Sequence, residues 1–570
     1  MPKILARFAL FLAAVLTLAA CGRSSPAISS DQVGPGVPTE PQKTLVMAVR
    51  GEPPSIASKP VVGFSGSLDN PRELFNANLD FLDERGIPRP VLAEALPQLS
   101  TDTWRVFPDG GMETTYRLKS NLTWHDGTRL SARDFVFGWQ VYAKPELGVS
   151  TTRPLGQIEE VAAPDDRTVV IRWKQLYPDA ASLDHDFQAL PRHLIEEPFR
   201  DLDPVAFAAL PFWTSEYVGP GPYRITAWEP GTFILGSAFD GFALGRPKIN
   251  EIKLLFISDP QTAVANLLGG EVHLIADPIL SVTEGLTIEQ QWAGDRGGTV
   301  LYSPTGLRTS VFQLRPEYVE STALLDVRAR RAMAFGMDPD AAIEVLTAGK
   351  ALRTQTITSP GVDFYAEVER VIQKYAYDPR RAQQLMEEAG YRKGAEGFFA
   401  DADGQAVRFS VASSGGTRQE TEVAVYVDRL RRAGFDASQR VVPVQQIQDP
   451  QLRALIPGIQ IRGGADELVS YISDQIPRPE NRWHGDNRGA WNNPEYDRLY
   501  DAYSSTLEPT ERVGQVAQME RIRSEDAAVV PHMFNVYTVP HIAALRGPVA
   551  RTVPVSGETF LHVQQWEWRA

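Results

Sequence analysis

Cysteine is nearly absent: the 570 residues contain one, Cys21. A single thiol excludes an intramolecular disulfide, a zinc knuckle and any cysteine-held cluster. Histidine is scarce as well, with eight in the chain and no two at i, i+4, the spacing that turns two imidazoles toward one metal from a helix face. His532 and His541 lie on a segment that reads as strand and loop, and packed or surface imidazoles describe them better than a metal pair. The chain has no glycine-rich dinucleotide fingerprint, no GxxxxGK[ST] phosphate loop, no GxSxG elbow and no HExxH. Positive charge is in deficit, with 57 Lys and Arg against 71 Asp and Glu and a net charge of -14. Such a chain repels nucleic acid and anionic bilayers, so no nucleic-acid partner is expected. Asp184-His185-Asp186 is polar enough for acid–base work but has no partner nucleophile, and it reads as a solvated loop. Glu159-Glu160 and Asp165-Asp166 read as turns and solvated faces. With no catalytic constellation in view, the chain is expected to bind rather than react, with no catalytic residue, metal or cofactor.

What is present describes a globular, exported chain. Hydrophobic residues make up 43% and charged residues 22%, enough for about three to four domains. Lys3 and Arg7 precede an uncharged run from Phe8 to Ala20, which reads as the core of a signal peptide and is too short to span a bilayer. The run ends in Leu18-Ala19-Ala20-Cys21, which resembles the bacterial lipobox. Residues 1–20 are thus expected to be a lipoprotein signal and Cys21 the lipidated residue. Residues 21–43, rich in Ser, Pro and Gly, read as a tether with a root-mean-square span of about 25 Å. Beyond them, strand-like runs open at Thr44–Val49, Met112–Leu118, Thr168–Trp173 and Ile252–Ile257. Pro222–Trp228 and Thr232–Ala238, joined by Glu229-Pro230-Gly231, predict a hairpin. Helix starts recur as Asx-Pro pairs, the first residue capping free N–H groups and the proline taking the first helical position. They stand at Asp259, Asp338, Asp378 and Asn493; Asp326 caps another helix, and Glu420–Ala433 predicts one ending at Gly434. Ser131 with Asp134 forms a capping box, placing Phe135, Trp139 and Tyr142 on one helical face.

Several blocks in order resemble the solute-binding proteins of peptide-type ABC importers, extracellular solute-binding protein family 5. Leu122–Trp139 (LTWHDGTRLSARDFVFGW) is the most specific. Leu79–Pro97, Ile158–Pro178, Gly219-Pro220-Gly221-Pro222-Tyr223, Asp259–His273, Val327–Asp338, Asp378–Tyr391 and Asn493–Leu499 resemble further family segments. Asp126-Gly127 makes a tight turn, and its neighbour His125 reads as structural. The resemblance implies an α/β, periplasmic-binding-protein-like (type II) fold with two lobes, a hinge and an extra inserted domain. Lobe I would comprise 44–72, 206–302 and 535–570, the inserted domain 73–205 and lobe II 303–534. A peptide or similar small polar solute would lie between the lobes, and a monomer would deliver it to an ABC permease in the cytoplasmic membrane. The chain would be lipid-anchored in the bacterial cell envelope, in the periplasm or on the outer face of the cytoplasmic membrane. A cell-envelope hydrolase using the same cleft, or a ligand-sensing receptor that does not transport, are the alternatives. In the family an Asp late in the second lobe takes a peptide's ammonium within a Trp-x-x-Asp-Tyr-like stretch. Asp466 aligns with that acid, but Gly463 stands where Trp is expected and Glu467 where Tyr is usual. Arg462, with a fork suited to a carboxylate or phosphate, and the aromatic Trp483 and Trp491 complete the candidate ligand-binding set.

Overall fold

A computed structural model describes residues 44–57, 71–147, 154–183, 187–276, 278–294, 297–464, 467–554 and 559–569. The expected signal, the expected lipidation site Cys21, the expected tether and Asp184-His185-Asp186 lie outside them. Residues 43–570 form one compact unit. Its first strand is β1 (Leu45–Val49). A four-stranded antiparallel sheet follows, built from β2 (Trp104–Val106), β3 (Met112–Arg117), β4 (Ile158–Asp165) and β5 (Thr168–Trp173) in the order β2-β3-β5-β4. In β5 the apolar Val169, Ile171 and Trp173 are buried and alternate with more exposed residues, as a half-covered strand requires. Helix α1 (Ala132–Tyr142) packs on this sheet and begins in the Ser131–Asp134 capping box.

The main sheet takes strands from the whole remaining chain. They are β6 (Tyr223–Glu229), β7 (Phe233–Ala238), β8 (Glu251–Phe256), β9 (Leu274–Ile275), β10 (Gly298–Phe312), β11 (Arg408–Ser414), β12 (Asp436–Val442), β13 (Ile459–Gly464) and β14 (Val529–Ile542). With β1 they run in the order β12-β11-β13-β10-β14-β9-β1-β8-β7-β6. β6 and β7 form the expected hairpin, with Gly231 at φ +70° in its turn, a conformation that glycine takes without a Cβ clash. The helices are α2 (Pro260–Gly269), α3 (Val282–Trp292), α4 (Val327–Gly336), α5 (Pro339–Thr347), α6 (Pro379–Glu388), α7 (Thr417–Ala433), α8 (Pro494–Ser505) and α9 (Pro509–Asp526). The caps are made as expected: Asp259, Asp326, Asp338, Asp378 and Asn493 each accept a first-turn N–H.

The long strands β10 and β14 divide this sheet into two halves. They pair antiparallel from Gly298↔Ile542 to Val311↔Val529, with a register shift between Pro304 and Leu307. Both strands are buried where they enter the second half, at Leu307–Phe312 and Val529–Phe534, whereas Leu301–Gly306 and Asn535–Tyr537 are only partly covered. On one side, β1 and β8 run parallel and, with the four-stranded sheet, share one apolar core that joins Leu45, Trp124, Trp173, Ile252 and Trp566. On the other, β11, β12 and β13 run parallel and are covered on one face by α4, α5, α6 and α7, while α8 and α9 pack on β10 and β14. The molecule therefore has two α/β lobes joined by a waist of two continuous strands. His532 and His541 both lie on β14 rather than on a strand and a loop. Each is buried, His532 Nε2 lying 2.5 Å from Ser310 Oγ.

Candidate functional site

The most specific sequence block turns out to be scaffold. His125 is 3% exposed. Its backbone N–H donates to Gly219 O at 2.9 Å, Nδ1 accepts from the Gly219 N–H at 3.2 Å, and Nε2 lies 3.0 Å from Gly221 O. This network assigns the proton to Nε2. Burial lowers the pKa of His125 from 6.5 to about 4. Gly219 and Gly221 pass so close to the chain at Phe75 that an added Cβ would lie 2.2 Å from its carbonyl oxygen or carbon. Two of the recognised blocks, the His-Asp-Gly turn and the Gly-Pro-Gly-Pro-Tyr entry to β6, thus lock onto each other. Asp126 accepts from Thr128 N–H at 2.9 Å and pairs with His193 Nε2 at 2.6 Å.

Charge gathers instead at the waist. Arg308, on β10, and Glu422, on α7, form a two-point ion pair through Arg308 Nε and Nη2, and both residues are buried. Breaking such a pair by removing one partner costs about 3–5 kcal/mol, because a bare charge stays buried. Gly463, opposite Arg308 in the register of β10 and β13, makes room for this guanidinium: a Cβ there would lie 2.7 Å from Arg308 Nη1. The expected tryptophan position is therefore filled from the neighbouring strand. Arg418, in the first turn of α7, donates to Asn535 Oδ1 at 2.6 Å, and Asn535 stands on the partly covered stretch of β14. Burial, reinforced by nearby Arg308, pushes the Arg418 guanidinium below its ordinary range, with Glu422 opposing. Arg308 and Arg418 share the buried carboxylate of Glu422, and the exposed Glu420 of the same first turn of α7 accepts the Gly416 N–H.

The residues predicted from sequence are placed differently from one another. Arg462 is buried in β13 and donates through Nη1 to Asp486 O at 2.8 Å, which ties the loop carrying Trp483 to the sheet. Asp466 lies outside the described residues. Trp483 is half-buried at φ +63°, its N–H donating to Arg478 O at 2.8 Å. Trp491 is not at a surface a solute could line. It is 3% exposed, packs against Tyr496 and donates through Nε1 to Asp526 Oδ2 at 2.9 Å, so its polar edge is satisfied inside the core. Sequence reasoning missed Arg308, Arg418, Glu422 and Asn535. The available signal was an Arg-Glu pair at i, i+4 at the predicted helix start, Arg418 and Glu422.

Two α/β lobes joined by a two-strand waist are the architecture of a solute-binding protein of the periplasmic type. The model of the bacterial extracellular solute-binding proteins, family 5 Middle, matches residues 94–479, and the chain belongs to this family. It is 23% identical over 545 residues to the oligopeptide-binding protein AppA of Bacillus subtilis (strain 168), covering 92% of each chain. It is 25% identical over 372 residues to the dipeptide-binding protein of Escherichia coli (strain K12), covering 62% of this chain and 64% of that one. Among solved structures, the ABC transporter substrate binding protein CtaP from Listeria monocytogenes superposes with a TM-score of 0.74 at 18% identity, over 93% of this chain and 100% of that one. AppA from Bacillus subtilis in complex with a nonapeptide gives 0.66 at 17%, over 93% and 100%. NikZ from Campylobacter jejuni in complex with Ni(L-His) gives 0.69 at 20%, over 92% and 100%.

Proposed function

We propose that this chain captures a short peptide between its lobes and delivers it to an ABC permease in the cytoplasmic membrane, as an exported monomer lipid-anchored through Cys21. The observation that carries the reading is the Arg418 guanidinium at the waist. Arg418 meets a neutral amide at Asn535, and its one hydrogen bond among the described residues goes there. A half-buried guanidinium whose direct partner is a neutral amide gains from an added anion, and a carboxylate arriving with the solute supplies that charge. The family and the peptide-binding relatives support capture over hydrolysis and over sensing without transport. In this reading 44–72, 206–302 and 535–570 move as one lobe with the inserted 73–205, and 303–534 moves as the other, the bend falling at the Pro304–Leu307 register shift. Asp466, two residues beyond the end of β13, takes the solute's ammonium end. Arg462 holds the Trp483 loop against the same strand.

Titration calorimetry of the full chain with tri- to pentapeptides and their C-terminal amides tests this. One peptide per chain is expected, without turnover. Amidation weakens binding at least ~10-fold in the wild type, the loss of one charge-assisted hydrogen bond, and far less in Arg418→Gln. If no peptide binds, or if the amide penalty is the same in both proteins, the reading fails.

A further inference from the structure

The loop after α5 builds a wall that the waist does not account for. The N–H groups of Ile357 and Thr358 both donate to Glu520 Oε1, at 2.8 and 3.1 Å, as does the Thr358 hydroxyl at 3.2 Å. Glu520 is in turn held by Arg523 Nη2 at 2.6 Å, with both side chains buried. A loop with two amides fixed on one buried carboxylate does not drift. Facing it are Leu468 and Val469, Tyr500 and Tyr503 of α8 and Val516 of α9, and together they line an open cavity of about 330 Å³. The other lobe contributes Asp179, which follows β5. Arg512 spans the seam: its guanidinium lies 4.3 Å from the centre of the Tyr503 ring and donates to Asp179 Oδ1 at 3.1 Å. The cavity thus has on one lobe a wall that mixes apolar side chains with Thr358, Ser359 and Glu467, and a charged pair whose two halves belong to different lobes. Glu467, at its edge, follows β13 by three residues.

We propose that this seam cavity is a side-chain pocket, completed when the lobes meet, that selects solutes carrying an aromatic or branched aliphatic group. Its volume stands at the lower end of small-molecule pockets, about 300–1,000 Å³, which suits one large side chain rather than a whole peptide. Ile357, Val362, Leu468 and Val516 offer aliphatic surface, and the rings of Tyr500 and Tyr503 offer faces for stacking. The Arg512–Asp179 pair keeps the Asp179 carboxylate neutralised, so a cationic side chain gains little there.

The inference rests on the peptide reading and is tested so that the two can fail separately. Binding of Ala-Ala-Ala, Ala-Leu-Ala, Ala-Phe-Ala, Phe-Ala-Ala and Ala-Ala-Phe to the full chain is measured by titration calorimetry. At one position, Phe or Leu is expected to bind at least ~10-fold more tightly than Ala, the discrimination an apolar pocket supplies. Val362→Trp, on the half-buried rim of the loop, fills the cavity and removes that preference. Asp179→Ala, at an exposed side chain, breaks the pair and shrinks the preference without disturbing the core. Peptides that bind with no apolar preference, or a preference unchanged in both variants, overturn the pocket and leave the peptide reading standing. Binding by none of the five overturns both.

Discussion

His125 stays neutral for two reasons. A proton on Nδ1 would face the Gly219 N–H that it now accepts, and burial removes the water that would solvate the charge. The unfolded chain takes up this proton below pH 6.5, whereas the native chain does so only near pH 4. The corresponding stability is fully present above pH 6.5, is lost as pH falls toward 4 and changes no further below that. The whole window is worth up to about 3 kcal/mol. His532, buried and held well below its ordinary value, acts in the same direction. The thermal midpoint of the wild type is expected to fall more steeply between pH 7 and pH 4.5 than that of His125→Gln, whose amide can accept from Gly219 and donate to Gly221 without titrating. Parallel slopes would mean that His125 takes up its proton in the folded state at the ordinary pH. At this scale the sequence showed only local chemistry. The Asp126-Gly127 turn was legible, with Gly127 at φ +87°. Gly219 and Gly221, the reason for the imidazole, stand 94 and 96 residues away, and no local pattern connects them.

Helices were legible because their punctuation is local. Asx caps followed by proline marked α2, α5, α6 and α8 to within a residue or two at their starts. α7 begins three residues before its expected start because Gly416, which has no side chain to cap with, precedes it at φ +135°, while Glu420 accepts the Gly416 N–H. Of the two longest strands, β10 went unread and β14 was read only in part, for the opposite reason. Pro304, Pro531 and Pro540 interrupt the alternation and argue against a central strand. Pro304 and Pro531 are tolerated because each sits beside a register shift, where regular ladder pairing is already broken. The end of β13 gives a test of how tightly neighbouring strands constrain each other. Gly463→Ala puts a Cβ 2.7 Å from Arg308 Nη1, whereas Gly464→Ala meets nothing nearer than Arg462 Nη2 at 3.7 Å. Urea unfolding is expected to show a loss of about 1–3 kcal/mol for the first, in the range of overpacking, and much less for the second. Equal losses would show that Arg308 swings away from Glu422 at little cost, and the pair would then no longer define the waist.

Two lobes about a waist could be read in advance only through the family resemblance, since composition and periodicity do not encode which segments share a lobe. The contacts that hold the lobes together are widely separated pairs. Lys350, after α5, reaches Glu289 of α3 at 3.1 Å, and Arg85 reaches Asp363 at 2.5 Å. The Arg85 and Asp363 side chains are mostly exposed and those of Lys350 and Glu289 about one-third exposed, so each pair is worth at most about 1 kcal/mol and is weakened by salt. Their effect on the balance between open and closed arrangements is nonetheless additive, because the pairs are distant and share no partner. If closure captures the solute, every increment that favours the closed form appears as affinity. Raising sodium chloride from about 0.05 to 0.5 M should therefore weaken peptide binding several-fold. Lys350→Met combined with Arg85→Met should weaken it by a similar factor at low salt and flatten the remaining salt dependence, while leaving the unfolding midpoint within a few degrees. Small-angle scattering of the unliganded chain should show a larger radius of gyration for the double variant than for the wild type. An unchanged radius together with an unchanged salt slope would place the control of closure in the waist strands or in the third pair across the seam, Arg512–Asp179, rather than in these two.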